Sequence, residues 1–343
     1  MISPLRLRLD AAALTRNWQT LARMSGRAAC GAAVKANGYG LGASDVVVRL
    51  AAAGCRDFFV ATWAEAAVIA PLGGVVSVLH GVRAEDMDAA RSLAGVRPVL
   101  SSAAQVARWQ AAGGGLCDVM VDTGMNRLGV SAEEIRGGLL DGLAVETLMS
   151  HLACADEDVA MNAAQRDALV GIADRVTARR LSLANSAGIA LGPDYAFDLT
   201  RPGLALYGGV PRGEFAGQIA QVATPEAQIL QRRMLRGGDT IGYNATFTAP
   251  HDLPVAILNI GYADGYWRGF SGVGTARVDT AILPVIGRVS MDLVAIDISA
   301  APALGEGDWV ALDYDLPEAA ARSGVSQYEL LTGLGARFKR VWC

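Results

Sequence analysis

The hydrophobic pattern along the chain has two regimes. After Asp10, a residue suited to capping a helix, Leu14, Trp18 and Leu21 recur at helical spacing and predict a first helix with one apolar face. Eight short apolar runs follow, at 29–34, 58–61, 75–79, 97–100, 118–121, 145–149, 181–184 and 196–199, separated by alanine-rich, helix-like stretches. Short continuous apolar runs suit a parallel sheet covered on both faces. Eight of them alternating with helices predict a (β/α)8 TIM-like barrel, with a doubly wound open sheet as the alternative. Beyond Tyr207-Gly208-Gly209-Val210-Pro211 the pattern changes. Val294, Ile296 and Ile298 alternate with Ala295, Asp297 and Ser299, and similar runs at 255–260 and 309–312 predict a mostly β C-terminal domain. The expected division is a barrel over 1–215 and a β domain over 216–343.

If the eight runs are barrel strands, the residues just past them line the C-terminal mouth, where barrels carry their chemistry. Strand counting alone puts Lys35, Asp122, His151, Asn185 and Arg201 there. The bulk numbers narrow the partners. Hydrophobic residues make up 52% and charged residues 19%, enough for a large core and against long disordered tracts. A net charge of -4 with no block of like charge makes nucleic acid an unexpected partner. The uncharged stretch 66–82 is broken by Pro71, Gly73 and Gly74, and reads as helix, turn and strand rather than a membrane span. The first ten residues alternate Leu with Arg and lack the apolar core of an export signal. Five scattered cysteines without a C-x-x-C pair point to reduced thiols in a cytoplasmic protein, and no metal-ligand cluster stands out.

The segment Ala33-Val34-Lys35-Ala36-Asn37-Gly38-Tyr39-Gly40-Leu41-Gly42 ends the first strand with a lysine before a glycine-spaced loop. A desolvated lysine with a lowered pKa forms a Schiff base with an aldehyde cofactor and acts as a base once substrate displaces it. The loops after the seventh and eighth runs, where barrels bind phosphate, read Asn185-Ser186-Ala187-Gly188 and Arg201-Pro202-Gly203-Leu204. Ser186 offers a hydroxyl, and the N–H groups of Gly203 and Leu204 can approach an anion.

These segments resemble the alanine racemases, two-domain enzymes that use pyridoxal 5′-phosphate (PLP), and the resemblance runs from the first helix to Phe338-Lys339-Arg340-Val341-Trp342. It implies that Lys35 carries PLP and that Tyr39, Asn185, Ser186, Gly203, Leu204 and Tyr328, in Gln327-Tyr328-Glu329-Leu330, bind the cofactor. His151, in Met149-Ser150-His151-Leu152-Ala153, would pack near its ring. Arg201, in Asp198-Leu199-Thr200-Arg201-Pro202-Gly203, would face the pyridine nitrogen. An arginine keeps its own proton, which leaves that nitrogen unprotonated and disfavours transamination. Arg127, in Asp122-Thr123-Gly124-Met125-Asn126-Arg127-Leu128-Gly129-Val130, would hold the substrate carboxylate, with Met291 and Asp292 of Gly287-Arg288-Val289-Ser290-Met291-Asp292. Tyr262, in Ile260-Gly261-Tyr262-Ala263-Asp264-Gly265-Tyr266-Trp267-Arg268, would be the second base, because racemisation without turning the substrate over needs a base on each face. A tyrosine is a weak base unless positive charge is near, and His151 and Arg201 are the candidates to supply it.

The resemblance further implies a homodimer in which Tyr262, Met291 and Asp292 complete the partner's site, and a role in making D-alanine for peptidoglycan. Related racemases take serine, lysine or ornithine. A non-catalytic PLP carrier would resemble the barrel alone, and a PLP aldolase or decarboxylase would want metal ligands or a larger pocket. The sequence departs from the family at one position. Many members place a carbamylated lysine seven residues before the arginine, where this chain has Met120, so Arg127 must be oriented by something else, such as a bound anion, water or the Asn126 amide. His80 and His251 read as structural, Gly113-Gly114-Gly115 as a flexible connection, and Arg136, Arg180, Arg232, Arg233 and Arg236 as solvated charges.

Overall fold

The computed structural model describes residues 3–343, which form two compact units: Leu14–Ala220, and the segment ending at Ala13 together with Gln221–Cys343. The strands in chain order are β1 (Leu5–Leu9), β2 (Ala29–Cys30), β3 (Ala32–Ala33), β4 (Asp57–Val60), β5 (Val75–Val78), β6 (Val96–Leu100), β7 (Leu116–Met120), β8 (Ala144–Met149), β9 (Ala178–Ser182) and β10 (Leu199–Thr200). They continue as β11 (Ala223–Leu235), β12 (Thr240–Ile241), β13 (Phe247–Thr248), β14 (Leu253–Leu258), β15 (Thr275–Val278), β16 (Ala281–Ile286), β17 (Val294–Asp297), β18 (Trp309–Leu312) and β19 (Lys339–Trp342).

In the first unit, β3 to β9 pair in sequence order as a parallel sheet, and β10 pairs in parallel with β2. Backbone bonds close the ring on both sides of β10. Gly31 N and Ala33 N donate to Thr200 O and Pro202 O (2.9 and 2.8 Å), while Asp198 N and Arg201 N donate to Leu181 O and Ala184 O (3.1 and 2.8 Å). The result is the TIM-like barrel rather than the open sheet. Two runs differ in detail from expectation. The first strand is interrupted at Gly31, where a Cβ would sit 2.9 Å from Asp57 O, and the start of the eighth run belongs to the helical turn Pro193–Ala196, leaving only Leu199–Thr200 as strand. Between strands the helices start on local caps, such as the reciprocal Thr62–Glu65 box of the helix Trp63–Ile69.

The first helix, Ala11–Met24, begins where expected, with Asp10 Oδ1 accepting from Ala13 N at 2.7 Å, and it buries Leu14, Trp18 and Leu21. The opening strand does not join the barrel. Leu5, Leu7 and Leu9 are buried while Arg6 and Arg8 pair with Glu226, so the Leu/Arg alternation of the first ten residues is a half-buried strand. β1 runs antiparallel to β11 and parallel to β19, which places it in the second unit instead of in a domain spanning 1–215.

That second unit is mostly antiparallel. β11, β14, β17, β16, β15 and β18 pair in that order, and β18 returns to β11, so six strands close a small barrel, with β1 and β19 extending it. Leu235, Ala249, Leu253, Val255 and Ile286 form one buried apolar cluster, against which Ile241 and Phe247 of the β12–β13 hairpin pack. Among the described residues, no helix is long and apolar enough to cross a membrane and no three metal-ligating side chains cluster.

Candidate active site

Lys35 follows β3 and opens a turn that L-residues adopt reluctantly. Ala36, Asn37, Gly38 and Tyr39 have φ of 53, 54, 63 and 53°, a left-handed stretch in which each side-chain-bearing residue costs about 1–2 kcal/mol. The surroundings hold it in place. Ala36 N donates to Glu65 Oε1 (2.6 Å), Ala43 N to Asn37 Oδ1 (2.9 Å), and Gly38 N to Val34 O (2.8 Å). The buried Tyr39 ring stacks on Tyr207, centroids 4.6 Å apart, and Tyr207 Oη donates to Ala33 O at 2.9 Å. Strain of this kind persists where its neighbours over-determine it. The Lys35 side chain is half-buried. Burial holds its amine below the usual lysine range, Arg127 repels its proton further, and Glu65 opposes both.

The loops after β9 and β10 meet beside this turn. Ser186 Oγ accepts from Gly203 N (2.9 Å) and Ala205 N (3.2 Å), whereas Leu204 N makes no hydrogen bond among the described residues. A Cβ on Gly203 would lie 2.2 Å from Tyr39 Oη, so the glycine keeps that space open. Tyr39, Ser186, Gly203 and Leu204 are thus brought together. Asn185 acts locally: its Oδ1 caps the helix Ser186–Ala190 by accepting from Gly188 N at 2.9 Å.

Arg201 is buried, and neutral oxygens hold it. Its Nη1 donates to Ser182 Oγ, and its Nη2 to Ser150 O (2.5 Å) and Leu183 O (3.5 Å). Burial lowers its guanidinium to about 10, so it is a cation at neutral pH. His151 is pushed down to about 3, first by burial and then by Arg201, Arg127 and Lys35, so these four groups share one electrostatic neighbourhood. His151 is therefore neutral near pH 7 and does not supply the positive charge expected of it for Tyr262. Arg127 is exposed, on a loop whose Gly124 and Asn126 N–H groups donate to Asp122 Oδ1 (2.9 and 3.0 Å). It has no hydrogen-bond or ion-pair partner among the described residues, and the Asn126 amide donates to Gly124 O (3.4 Å) instead of orienting it. Met120 is buried at the end of β7.

In the β unit, the turn Tyr262–Asp264 lies on the Ser290–Met291 backbone. Tyr262 N and Ala263 N donate to Ser290 O and Met291 O, both at 3.0 Å, and a Cβ on Gly261 would sit 2.3 Å from Met291 O. Arg268 lies over the Tyr262 ring at 5.8 Å, a cation for this tyrosine within its own unit. Asp264, buried, accepts two bonds from Arg337 (2.6 and 2.9 Å), and Arg337 Nη1 reaches Asp292 at 2.7 Å. Asp292 thus braces an arginine through one of its two oxygens. The Met291 side chain is exposed, as is Tyr328 on the helix Gln327–Thr332.

Sequence reading did not single out Glu65, Arg268 or Arg337. Glu65 had a readable signal, the Thr-x-x-Glu capping spacing, while Arg337 had none. Arg180, expected to be solvated, instead bonds Asp57 at 2.8 Å and is half-buried.

An amine with a depressed pKa, a glycine kept bare beside a tyrosine hydroxyl, an unengaged amide and a buried arginine without a carboxylate fit PLP. A barrel with such a lysine at the end of its first strand, joined to an antiparallel β domain, defines the class: a PLP-dependent amino-acid racemase. The family profiles "Alanine racemase, N-terminal domain" and "Alanine racemase, C-terminal domain" match residues 9–211 and 222–342. An alanine racemase of Acidiphilium cryptum is 42% identical over 98% of both chains, and a biosynthetic one of Agrobacterium fabrum is 39% identical over 98% of this chain and 93% of its own. The crystal structure of the Bartonella henselae alanine racemase with covalently bound pyridoxal phosphate superposes with a TM-score of 0.90 at 31% identity, each chain fully covered. The chain belongs to the alanine racemase family, and PLP is its cofactor.

Proposed function

We propose that the protein interconverts L- and D-alanine with two bases, Lys35 and Tyr262, and supplies D-alanine for peptidoglycan. The depressed Lys35 amine carries this reading, because only a neutral amine takes a proton. Bound PLP supplies the electron sink that lets the substrate Cα proton leave. Lys35 Nζ takes or returns that proton on one face and Tyr262 Oη does so on the other. Arg127, exposed and unpaired, holds the substrate carboxylate. Tyr39 Oη, Ser186 Oγ, Gly203 N and Leu204 N receive the phosphate, Arg201 faces the pyridine nitrogen, and neutral His151 packs by the ring.

The reading includes a homodimer in which the partner subunit's Tyr262 completes the site, with the Met291 backbone and the Asp264–Arg337–Asp292 brace fixing the turn that carries it. The PLP-loaded protein, incubated separately with L-alanine, L-serine and L-lysine, is expected to form D-alanine fastest. Racemisation of none of them, or undiminished racemisation by Tyr262→Phe, refutes the mechanism. Sedimentation of the loaded protein as a monomer at assay concentration refutes the shared site.

A further inference from the structure

Barrel interiors are ordinarily filled by layers of branched apolar side chains. This one is charged. Arg180 of β9 reaches Asp57 of β4 (2.8 Å), and Ser77 Oγ of β5 donates to Asp118 Oδ2 of β7 at 2.6 Å. Neither strand pair is adjacent in the sheet, so both contacts cross the interior. Arg97 of β6 faces Asp118 at 3.5 Å and Glu146 at 3.9 Å, and Glu146 faces Arg180 at 3.5 Å. A bulge in the β7–β8 register leaves Glu146 as the extra residue: Cys117 pairs with Val145, but Asp118 pairs with Thr147.

The set comprises Arg97, Arg180 and Arg201 against Asp57, Asp118 and Glu146. Arg180 takes up Asp57 and faces Glu146, while Arg97 lies between Asp118 and Glu146. Arg201 is the one member bound only by neutral oxygens. Its anchor Ser182 lies two residues beyond Arg180 on β9, and Arg180 pairs with Thr147, which pairs with Asp118. Asp118 therefore sits one interior layer below the guanidinium, about 6–7 Å along the strands. Asp118 is fully buried, and its Oδ1 has no hydrogen-bond partner. Buried charge is retained only where it is compensated.

We propose that Asp118 is the counter-charge and positioning residue of Arg201, holding the guanidinium in register from inside the barrel without touching the cofactor. The inference rests on the reading that Arg201 faces the pyridine nitrogen, and the experiment separates the two. The loaded enzyme is prepared with 15N in the pyridine ring, as the parent and as Asp118→Asn, Arg97→Gln/Asp118→Asn and Arg201→Gln variants. Asp118→Asn is expected to displace the pyridine 15N resonance and lower kcat by about ten- to a hundredfold at unchanged KM, as for a misplaced group near the chemistry. The double variant removes both members of the Arg97 pair, so it leaves no stranded arginine if the single variant fails to fold, and it is expected to keep the displaced resonance. Parent-like resonance and kcat in the double variant would mean that Asp118 serves Arg97 alone and overturn the proposal. So would an unmoved resonance in Asp118→Asn while Arg201→Gln moves it. If Arg201→Gln also leaves the resonance in place, the reading of Arg201 itself fails.

Discussion

Gly203→Ala is the sharpest steric test of the cofactor cradle. Gly203 has φ −129° and ψ −86°, outside the regions that alanine prefers, so the backbone already resists the change. The added methyl resists it further, lying 2.2 Å from Tyr39 Oη and 2.9 Å from Tyr39 Cζ, where ordinary contact begins near 3.4 Å. The hydroxyl must retreat by about 1.2 Å, the difference between 3.4 and 2.2 Å. The ring cannot simply swing away, because Tyr39 is buried and stacked on Tyr207, itself fixed to Ala33 O. Overpacking of this kind costs about 1–3 kcal/mol. For a unit of this size that lowers the melting temperature of the cofactor-free protein by about 2–12 °C. If the misfit falls on the bound state, PLP dissociation rises by about 5- to 150-fold. Thermal unfolding and a fluorescence titration with PLP measure the two. Adding Tyr39→Phe removes the 2.2 Å contact but keeps the ring carbon at 2.9 Å, so part of the melting temperature returns. A single variant with parental melting temperature and PLP affinity, or a double variant no more stable than the single, refutes the reasoning.

Three further outcomes follow from the charges. Cofactor attachment needs the neutral Lys35 amine, whose pKa Arg127 lowers and Glu65 raises; Arg127→Gln therefore shifts the pH midpoint of attachment, followed by absorbance, upward, and Glu65→Gln shifts it downward, a reversed order refuting the assignment. His151 titrates near 3 when folded against 6.5 unfolded, so between those values only the unfolded chain takes up the proton: its contribution is intact above about pH 6.5 and is lost as the pH falls toward 3, and urea titrations should find His151→Gln a few kcal/mol less acid-sensitive. Arg337→Met strands the buried Asp264 carboxylate and is expected to cost about 3 kcal/mol in chemical denaturation, with Asp264→Asn/Arg337→Met recovering most of it.

What was legible in the sequence was local. The lysine turn, the two loops around Ser186 and Gly203, and the Tyr262 segment are contiguous motifs, and eight apolar runs separated by helix-like stretches announce a barrel because each strand needs only its own residues to be apolar. What was not legible depends on partners distant in the chain. The alternation of the first ten residues was visible, yet only pairing with β11 and β19 assigns that strand to the β unit. Arg180 looks like any surface arginine until Asp57, on a strand across the barrel, and the bulged Glu146 turn it into an interior charge. Arg337 lies in no motif, and its brace on Asp264 and Asp292 exists only in three dimensions.

The charges around Lys35 also give Met120 a consequence. Arg201 and Arg127 are cations, His151 is neutral, and the Glu65 carboxylate opposes the depression of the Lys35 amine. The mouth of the barrel is therefore electropositive before anything binds, which suits a phosphate and a carboxylate arriving from solution. A carbamylated lysine at position 120 would place a permanent anion beside Arg127. Met120 does not, so Arg127 repels the Lys35 proton at full strength in the free protein. In the proposed reaction the substrate carboxylate is the first anion to pair with Arg127. Its arrival removes that repulsion and raises the basicity of Lys35 when a Cα proton is there to be taken, so substrate binding and base activation become a single event in this chain.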